Sequence, residues 1–363
     1  MPKFMPSNKP IILAYYLPQF HPLAINDLWW GKGFTEWDNV KKAKPLFKEH
    51  QQPRIPADLG YYDLTSRDIR RKQAELAKEA GISGFCYWHY WFGNKNQIMN
   101  EIIDEVVKSK EPDFPFCLGW ANESWTNKQW QKNGNSKSVV EQNYGGKADY
   151  EEHFTYALKL FKDSRYIKID NKPVFLIYRP ELLPDDFCPT WERLAKEFGF
   201  NGIYFIGRLK RNVSAKSIKT KGIQIFTRDR INSPYMDNGL FHFAKFRIHS
   251  WLMGLTGTAI SYKEAARSFV NEKEDSQENF IPTIIPNWDH SPRTGKSGFI
   301  IYGSNPDLFF YHAKEVLEIA SKKENNLVFL KSWNEWGEGN YMEPDAEFGT
   351  QYIKKLAEAI KSI

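Results

Sequence analysis

The most constraining feature of the sequence is an alternation of short apolar runs with amphipathic segments, repeated eight times along 363 residues. The runs have the length and flanking turn residues of buried strands, and the segments between them carry apolar side chains at helical spacing. Eight such pairs predict an α/β fold of the closed (β/α)8 class, a TIM barrel. An open, doubly wound sheet is the alternative, but eight units in a chain of this length favour closure. We expect one barrel catalytic domain over residues 1–363. The predicted strands are residues 11–16, 84–88, 116–120, 174–178, 202–207, 222–226, 281–285 and 327–333, and the predicted helices are 65–80, 97–110, 149–162, 191–198, 214–219, 262–274, 306–322 and 349–362.

Three long insertions interrupt this alternation, and each follows the carboxyl end of a predicted strand: residues 18–63, 121–146 and 227–261. In barrels of this class the loops at that end build the functional site. Loops of this length inside a compact domain usually carry function. Aromatic residues make up 16% of the chain, so their placement in these loops predicts an aromatic-lined site on one face of the barrel. Those in the insertions include Trp29, Trp30, Trp37, Trp125, Trp130, Tyr235 and Trp251.

The last predicted strand runs into a motif with two carboxylates three residues apart, Glu335 and Glu338. In a continuing strand these side chains would point to opposite faces, whereas a single helical or turn-like step places them together, with Cβ atoms about 5–6 Å apart. Gly337 and Gly339 are expected to supply the positive φ of a sharp turn. Paired carboxylates suit sugar chemistry, since one protonates a leaving oxygen while the other is base or nucleophile. A solvated acidic turn is the alternative interpretation.

Polar and aromatic side chains at the other strand ends are predicted to open into the same hollow. Hydroxyls, amides and ring faces around one mouth suit a polyhydroxylated ligand, although each residue could instead fill a barrel layer or a loop. An alternative catalytic pairing of Glu123 with Glu335 would imply an ordinary double displacement. The candidates for substrate binding are Tyr16, His89, Trp120, Asn122, Glu123, Trp333, Asn334 and Trp336.

Several other classes of function are disfavoured by the sequence. The net charge is only +6, and lysines alternate with acids without a basic stripe, so we expect no nucleic-acid partner. Histidines and carboxylates show no metal-ligand spacing, and we expect neither a metal nor another cofactor. The three cysteines predict no disulfide framework. No signal peptide and no membrane span are seen, which predicts a cytoplasmic location. The oligomeric state is left open, and the expected partner is a carbohydrate substrate.

Long tryptophan-rich motifs run from the first predicted strand to the last, at residues 12–22, 30–37, 84–92, 120–125 and 333–339. They resemble the WbsX-like domain, whose members are often labelled glycosyltransferases of lipopolysaccharide biosynthesis, and are similar more distantly to glycoside hydrolase family 99, the endo-α-mannosidases. The resemblance to family 99 implies a (β/α)8 barrel that cleaves with retention and without a metal.

The same resemblance implies roles for the paired acids. In family 99 one carboxylate is thought to deprotonate the 2-hydroxyl of the sugar, which closes on the anomeric carbon as a 1,2-anhydro intermediate. By position, Glu335 would assist the 2-hydroxyl, and Glu338 would be the general acid and then the base. The chain departs from that family in lacking a secretion signal, and it has no Asp-x-Asp motif that would support the transferase label.

Three hypotheses follow from the sequence. The first is a retaining glycoside hydrolase that acts on an α-linked, mannose-like glycan or polysaccharide. The second is a glycosyltransferase of lipopolysaccharide or surface-polysaccharide biosynthesis, and the third is a barrel that binds carbohydrate without catalysis.

Overall fold

A computed structural model describes residues 9–126, 138–236 and 239–363. Its centre is a parallel barrel whose strands are almost entirely buried and apolar, as expected for strands covered on both faces. Hydrogen bonding links each strand to the next in chain order, and the eighth strand to the first. The strands are β1 (Ile11–Tyr16), β2 (Gly84–Trp91), β3 (Phe116–Trp120), β4 (Lys172–Ile177), β5 (Tyr204–Arg208), β6 (Ile225–Thr227), β7 (Phe280–Ile281 and Thr283–Ile284) and β8 (Leu327–Leu330).

The barrel closes through β7, which is divided in two by Pro282. The first half pairs with β6, with Phe280 opposite Phe226, and the second half pairs with β8, where Ile284 lies opposite Leu330. Pro282 has no N–H to donate to either neighbour. Its carbonyl oxygen nevertheless accepts from the amide of Phe329 on β8 at 3.0 Å. The predicted (β/α)8 class is therefore confirmed.

Helices between the strands cover the outside of the barrel with their apolar faces. The helix after β1 begins at Ser66, whose Oγ accepts from the Ile69 amide at 3.5 Å, and it is followed by Gly81 at φ +83°. The predicted helix 262–274 is wrong, because the side chain of Asn271 accepts from the Glu274 amide and starts a second helix there. The helices of the outer layer are Arg67–Glu79, Asn100–Ser109, Lys147–Phe161, Phe187–Glu197, Ala215–Lys219, Tyr262–Ala265, Glu272–Asp275, Pro306–Ala320 and Gln351–Lys361.

The insertions add further structure at the carboxyl ends of the strands. The strand Phe299–Tyr302 lies between Thr258–Ser261, which is parallel to it, and Trp288–Asp289, which is antiparallel. This three-stranded satellite sheet has small apolar clusters of its own. None of the described helices combines the length and the apolarity that a membrane span requires. The helices of the insertions are Ala24–Trp30, Glu36–Lys42, Ser233–Met236 and Gly239–Leu252, and a further short helix, Ser291–Thr294, follows β7.

Candidate active site

The two predicted catalytic acids lie on a tight hairpin directly after β8. Residues Asn334–Glu335 pair antiparallel with Asn340–Tyr341, and Trp336–Glu338 between them form a single 3-10 turn. The predicted strand 327–333 therefore ends early, at Leu330, and the chain turns before the acids. Because one turn separates them, both carboxylates enter the wall of the same cavity, which has a volume of about 380 Å³.

One guanidinium holds both acids in place. Arg293, in the short helix after β7, donates from Nη2 to Glu335 Oε1 at 2.8 Å and from Nη1 to Glu338 Oε1 at 2.7 Å. It also binds a third carboxylate, with Nε and Nη2 at 3.0 and 2.8 Å from Glu36 Oε2. Three acids thus share one buried cation, whose fixed fork sets the positions of the predicted pair.

This arrangement favours a bound proton. Burial raises the pKa of Glu335 to about 8, and the neighbouring charges of Glu338 and Glu36 add to that rise while Arg293 opposes it. Burial also raises the pKa of Glu36 above its usual range. The cavity therefore holds at least one protonated carboxyl group near neutral pH, which is what a general acid requires.

The two glycines of the hairpin serve different purposes. At Gly339 φ is +55°, as predicted. Gly337 was predicted to have a positive φ as well. This prediction is wrong, because the φ of Gly337 is not positive. Its small size is needed instead for space: a Cβ atom there would lie 2.0 Å from Glu36 Oε2 and 3.0 Å from Arg293 Nε.

Aromatic rings form another wall of the cavity. Tyr15 stacks on Trp88 with centroids 5.0 Å apart, and Trp88 meets Tyr178 edge to face at 5.4 Å. Tyr90 and Trp125 also line the cavity, with centroids 6.5 Å apart. Flat apolar faces beside paired carboxyl groups suit a sugar ring, whose C–H faces stack on aromatics while its hydroxyls bind polar groups.

Three predicted sugar-binding residues lie in the barrel wall instead of the cavity lining. Tyr16 donates its hydroxyl to Gln73 Oε1 at 2.7 Å, and His89 and His153 share a hydrogen bond between their Nε2 atoms at 2.9 Å. Trp120 donates its indole N–H to a backbone carbonyl at 2.9 Å. All three are at most 3% exposed, and burial lowers the pKa of His89 to about 3, so its ring is neutral.

The period of a strand explains this correction. Successive side chains alternate between the two faces, so a shift of one residue exchanges the inside for the outside. Tyr15 lines the cavity where we predicted Tyr16, and Trp88 and Tyr90 line it on either side of His89. The strands were identified to within a few residues at their ends, but the residues that face the cavity were not.

Residues around the acidic hairpin support it from behind. The side-chain amide of Asn334 binds both the N–H and the carbonyl of Leu17, at 2.8 and 2.9 Å, which fixes the hairpin to the end of β1. The indole of Trp336 donates to Glu343 Oε2 at 2.6 Å. Trp333 and Trp336, both predicted to bind substrate, are fully buried and do not belong to the cavity lining.

The remaining candidates lie after β3. Asn122 accepts from the amide of Arg179 at 2.7 Å and donates to its carbonyl at 2.9 Å, which fastens two loops together away from the cavity. Glu123 does line the cavity, and its carboxylate forms an ion pair with Arg179 and lies 4.0 Å from Lys210 Nζ. Trp130 lies outside the described residues.

Arg293 and Glu36 were not predicted as site residues. Glu36 stands in the motif 30–37 that carries part of the family resemblance, and that motif is the signal from which it could have been found. Arg293 gave no such signal, since nothing local distinguishes it from a solvated loop cation. Across the described ranges, no group of three or more His, Cys, Asp and Glu side chains is arranged to hold a metal ion.

Comparisons with known proteins agree with this architecture. A solved structure described as a glycoside hydrolase-like protein superposes with a TM-score of 0.62 at 16% identity, covering 99% of this chain and 96% of the other. The GH99 endo-alpha-mannosidase from Bacteroides thetaiotaomicron gives 0.56 at 15% identity, with coverages of 98% and 97%. At such identities these likenesses establish a shared fold.

Relatives in sequence are closer. Two strains of Xanthomonas campestris pv. campestris have a protein described as "Uncharacterized protein WxcX", 30% identical over 367 residues and covering 99% of this chain. The chain spans about half the length of these curated relatives, 50% of each. The model of one family, described as "Glycosyltransferase WbsX", matches residues 12–356. The chain therefore belongs to the WbsX family.

Proposed function

We propose that the chain is a glycoside hydrolase that cleaves an α-linked, mannose-like glycan with retention, using Glu335 and Glu338. The observation that carries the proposal is their shared attachment to Arg293 inside one aromatic cavity, with a proton bound near neutral pH. Membership of the WbsX family and the fold shared with an endo-alpha-mannosidase support a carbohydrate substrate.

The first half-reaction opens the glycosidic bond. In the unliganded site the proton lies on Glu335, and we infer that it passes to Glu338, its neighbour on Arg293, when a sugar hydroxyl enters. Glu335 then takes the proton of the 2-hydroxyl, and the 2-oxygen bonds to the anomeric carbon as the bond to the leaving oxygen breaks. Glu338 gives its proton to that oxygen.

The second half-reaction releases the product. Glu338 removes a proton from water, and the resulting hydroxyl adds to the anomeric carbon as the 1,2-anhydro ring opens. Glu335 returns its proton to the 2-oxygen. Two inversions give overall retention, and the protonation states of the pair are restored.

The test uses aryl α-mannosides and α-linked oligosaccharides with single amide variants. We expect Glu335→Gln and Glu338→Gln each to lower kcat/KM by more than about 1000-fold while the circular dichroism spectrum is unchanged. Glu123→Gln tests the alternative double displacement, and we expect a loss below about 10-fold, because the carboxylate of Glu123 is committed to Arg179. Turnover that survives in both variants of the pair would exclude the proposal.

A leaving-group series separates the roles of the two acids. A substrate with a strongly acidic phenol as leaving group needs no proton donor for departure. Glu338→Ala should therefore recover substantial activity on such a substrate, whereas Glu335→Ala should not. Recovery in the Glu335 variant alone would reverse the assignment.

Glycosyl transfer is the second candidate, because the description of the matching family names a glycosyltransferase. Transfer requires a sugar donor, so calorimetric titration with sugar nucleotides distinguishes transfer from hydrolysis. Saturable donor binding together with product formation on an acceptor glycan would favour transfer over hydrolysis.

A further inference from the structure

A wide groove adjoins the catalytic cavity on the same face of the barrel. Its volume is about 1280 Å³, and the two hollows share Tyr178, Lys331 and Glu338 in their walls. A linear ligand that crosses Glu338 therefore passes from the aromatic cavity directly into the groove. The groove has room for several more sugar residues than the cavity of about 380 Å³.

The groove is strongly cationic. Among its described lining residues, eight lysines and arginines stand against three carboxylates. The chain as a whole has 50 basic and 44 acidic residues, so the excess is local to this groove. A concave surface lined by one sign of charge focuses the potential and concentrates ligands of the opposite sign.

Ion pairs within the groove leave this excess in place. Asp229 forms ion pairs with two cations at once, since its carboxylate lies 2.7 Å from Arg208 Nε and 3.3 Å from Lys331 Nζ. Burial alone would raise the pKa of Asp229, but these two cations outweigh it and hold the pKa well below the usual range. A single negative charge is therefore shared between two positive ones at the junction with the cavity.

A second carboxylate is shared in the same way. Glu274 Oε2 lies 3.1 Å from Arg228 Nε and also pairs with Arg230. Arg230 has an additional partner behind the groove, Asp275, at 2.8 Å. These contacts fix the guanidinium groups in the floor, and the fixed groups are pre-organised to meet an anion.

Two further cations lie at the rim. Arg267 and Lys273 are exposed side chains of the lining, and neither has a carboxylate within 4.0 Å among the residues that the structure describes. Cations that do not pair within the protein keep their full charge for a ligand. Positive charge therefore extends from the junction at Glu338 to the outer edge.

The groove also has features that suit a sugar. The ring of Trp288 is part of its wall, with Lys331 Nζ 5.3 Å from the ring centroid. The side-chain amides of Asn212 and Asn232 line it as well. A ring face and amides beside cations suit a polymer that carries both hydroxyls and anionic groups.

We propose that the groove binds the negatively charged residues of an acidic glycan, whose anionic groups are uronic carboxylates or phosphate esters. This inference rests on the proposed function, because it takes the groove and the catalytic cavity as parts of one glycan-binding site. The neutral end of the glycan stacks in the aromatic cavity, the bond to be cleaved lies at Glu338, and the acidic end follows the cations outwards.

Calorimetry on the Glu335→Gln variant of the full chain tests the proposal without turnover. The carboxylate arm compares an α-1,4-linked galacturonate hexamer with its fully methyl-esterified form. The phosphate arm compares a pentamannose monophosphate with the dephosphorylated pentamannose. We expect at least one charged probe to bind 10-fold or more tightly than its neutral match in 25 mM NaCl, and to lose most of that advantage in 150 mM NaCl.

A matched pair of double variants shows whether the groove is responsible. Arg267→Gln with Lys273→Gln should weaken the charged probe at least 5-fold and leave the neutral probe unchanged. Lys72→Gln with Lys361→Gln removes the same charge from exposed positions on the outer helices and should weaken neither. Preference for the hexamer identifies carboxylates as the ligand group, and preference for the phosphorylated probe identifies phosphate.

The proposal is overturned if neither charged probe exceeds its neutral match, or if the two double variants weaken binding equally. These outcomes are independent of the hydrolase assignment. If the chain hydrolyses neutral glycans and the rim variants do not change the rate, the proposed function stands and the acidic substrate is excluded. Charge-dependent binding in the groove without hydrolysis of any α-linked glycan would retain the groove and remove the hydrolase.

Discussion

At the scale of single residues, the site depends on how one guanidinium is divided among three carboxyl groups. Arg293 is 7% exposed in its side chain, and the side chain of Glu36 is fully buried. A buried charge that loses its partner is costly, since the desolvation penalty is no longer offset. The stability of the site and its protonation are therefore coupled through Arg293.

Arg293→Met should destabilise the protein by about 3–5 kcal/mol at pH 8, because three acids are then left without their cation. Adding Glu335→Gln to this variant should recover part of the loss, since one uncompensated charge is removed. Denaturant unfolding of the wild type, both single variants and the double variant gives the coupling energy. Strictly additive effects would show that Arg293 and Glu335 do not depend on each other.

The raised pKa of Glu335 predicts how stability changes with pH. A carboxyl group whose pKa rises from 4.5 in the unfolded chain to about 8 in the folded protein binds its proton more tightly when folded. Its contribution is fully present below about pH 4.5 and is lost as the pH rises to about 8. The loss is on the order of a few kcal/mol.

Glu335→Gln should flatten this dependence, because the amide stays neutral throughout. The variant and the wild type should have similar free energies of unfolding near pH 5, and the variant should be the more stable at pH 8.5. Urea titrations at half-unit steps of pH measure the difference. Comparison between the two proteins isolates Glu335 from Glu36 and Glu343, whose pKa values burial also raises. Parallel curves would show that the carboxyl group is ionised at neutral pH.

The sequence allowed the convergence of Glu335 and Glu338 on one cavity to be predicted, whereas most of the other residues around them were missed. The spacing of Glu335 and Glu338 restricts them to a common side in any turn-like step, so their convergence follows from local geometry. Arg293 is brought to Glu335 from 42 positions away in sequence by a short helix that lies between two strands of the satellite sheet. No local pattern contains that information.

At the scale of elements, the acidic hairpin is held by contacts on both of its faces. Asn334 fastens it to β1, and Glu36, the first residue of the helix Glu36–Lys42, lies against Gly337. The strands themselves were predictable, since buried apolar runs have a clear signature. The facing of their end residues was not, because strands buried on both faces are apolar throughout and their pattern does not show which side chains point into the barrel.

Gly337→Ala should separate the effect of space from that of backbone strain. The added methyl group would overlap the carboxylate of Glu36, so we expect a loss of about 2–3 kcal/mol in stability and a large fall in kcat. Gly349→Ala is the matched control, since Gly349 has φ +54° but open space around its Cβ, and it should cost only about 1 kcal/mol.

A second change tests the cause directly. Shortening the opposing side chain in the double variant Gly337→Ala with Glu36→Ala should restore part of the stability that Gly337→Ala loses. Thermal unfolding of the four proteins of this cycle is the measurement. If the double variant loses more stability than the two single variants lose together, Gly337 is needed for another reason.

At the scale of the whole molecule, the candidate site is assembled across two bodies of unequal size. The barrel contributes Glu335 and Glu338 and has the large apolar core. The satellite sheet leads into the helix of Arg293 and has only small clusters of buried residues. The barrel was predictable because its eight-fold alternation is a global pattern, whereas the satellite strands are two to four residues long and leave no comparable signal.

The difference in core size predicts that Arg293 is released from the acids before the barrel unfolds. Local stability follows the buried apolar contacts, so the satellite sheet should open in a sub-global step of lower free energy. Hydrogen exchange measured by mass spectrometry in low urea should show Thr258–Ser261 and Phe299–Tyr302 exchanging well before β1 and β3, and catalytic activity should fall with the first group. Substrate that bridges both bodies should slow the early exchange, since it binds only the closed form. Simultaneous exchange of both sheets, unaffected by substrate, would mean that the two bodies unfold as one and that Arg293 is fixed as firmly as the acids it holds.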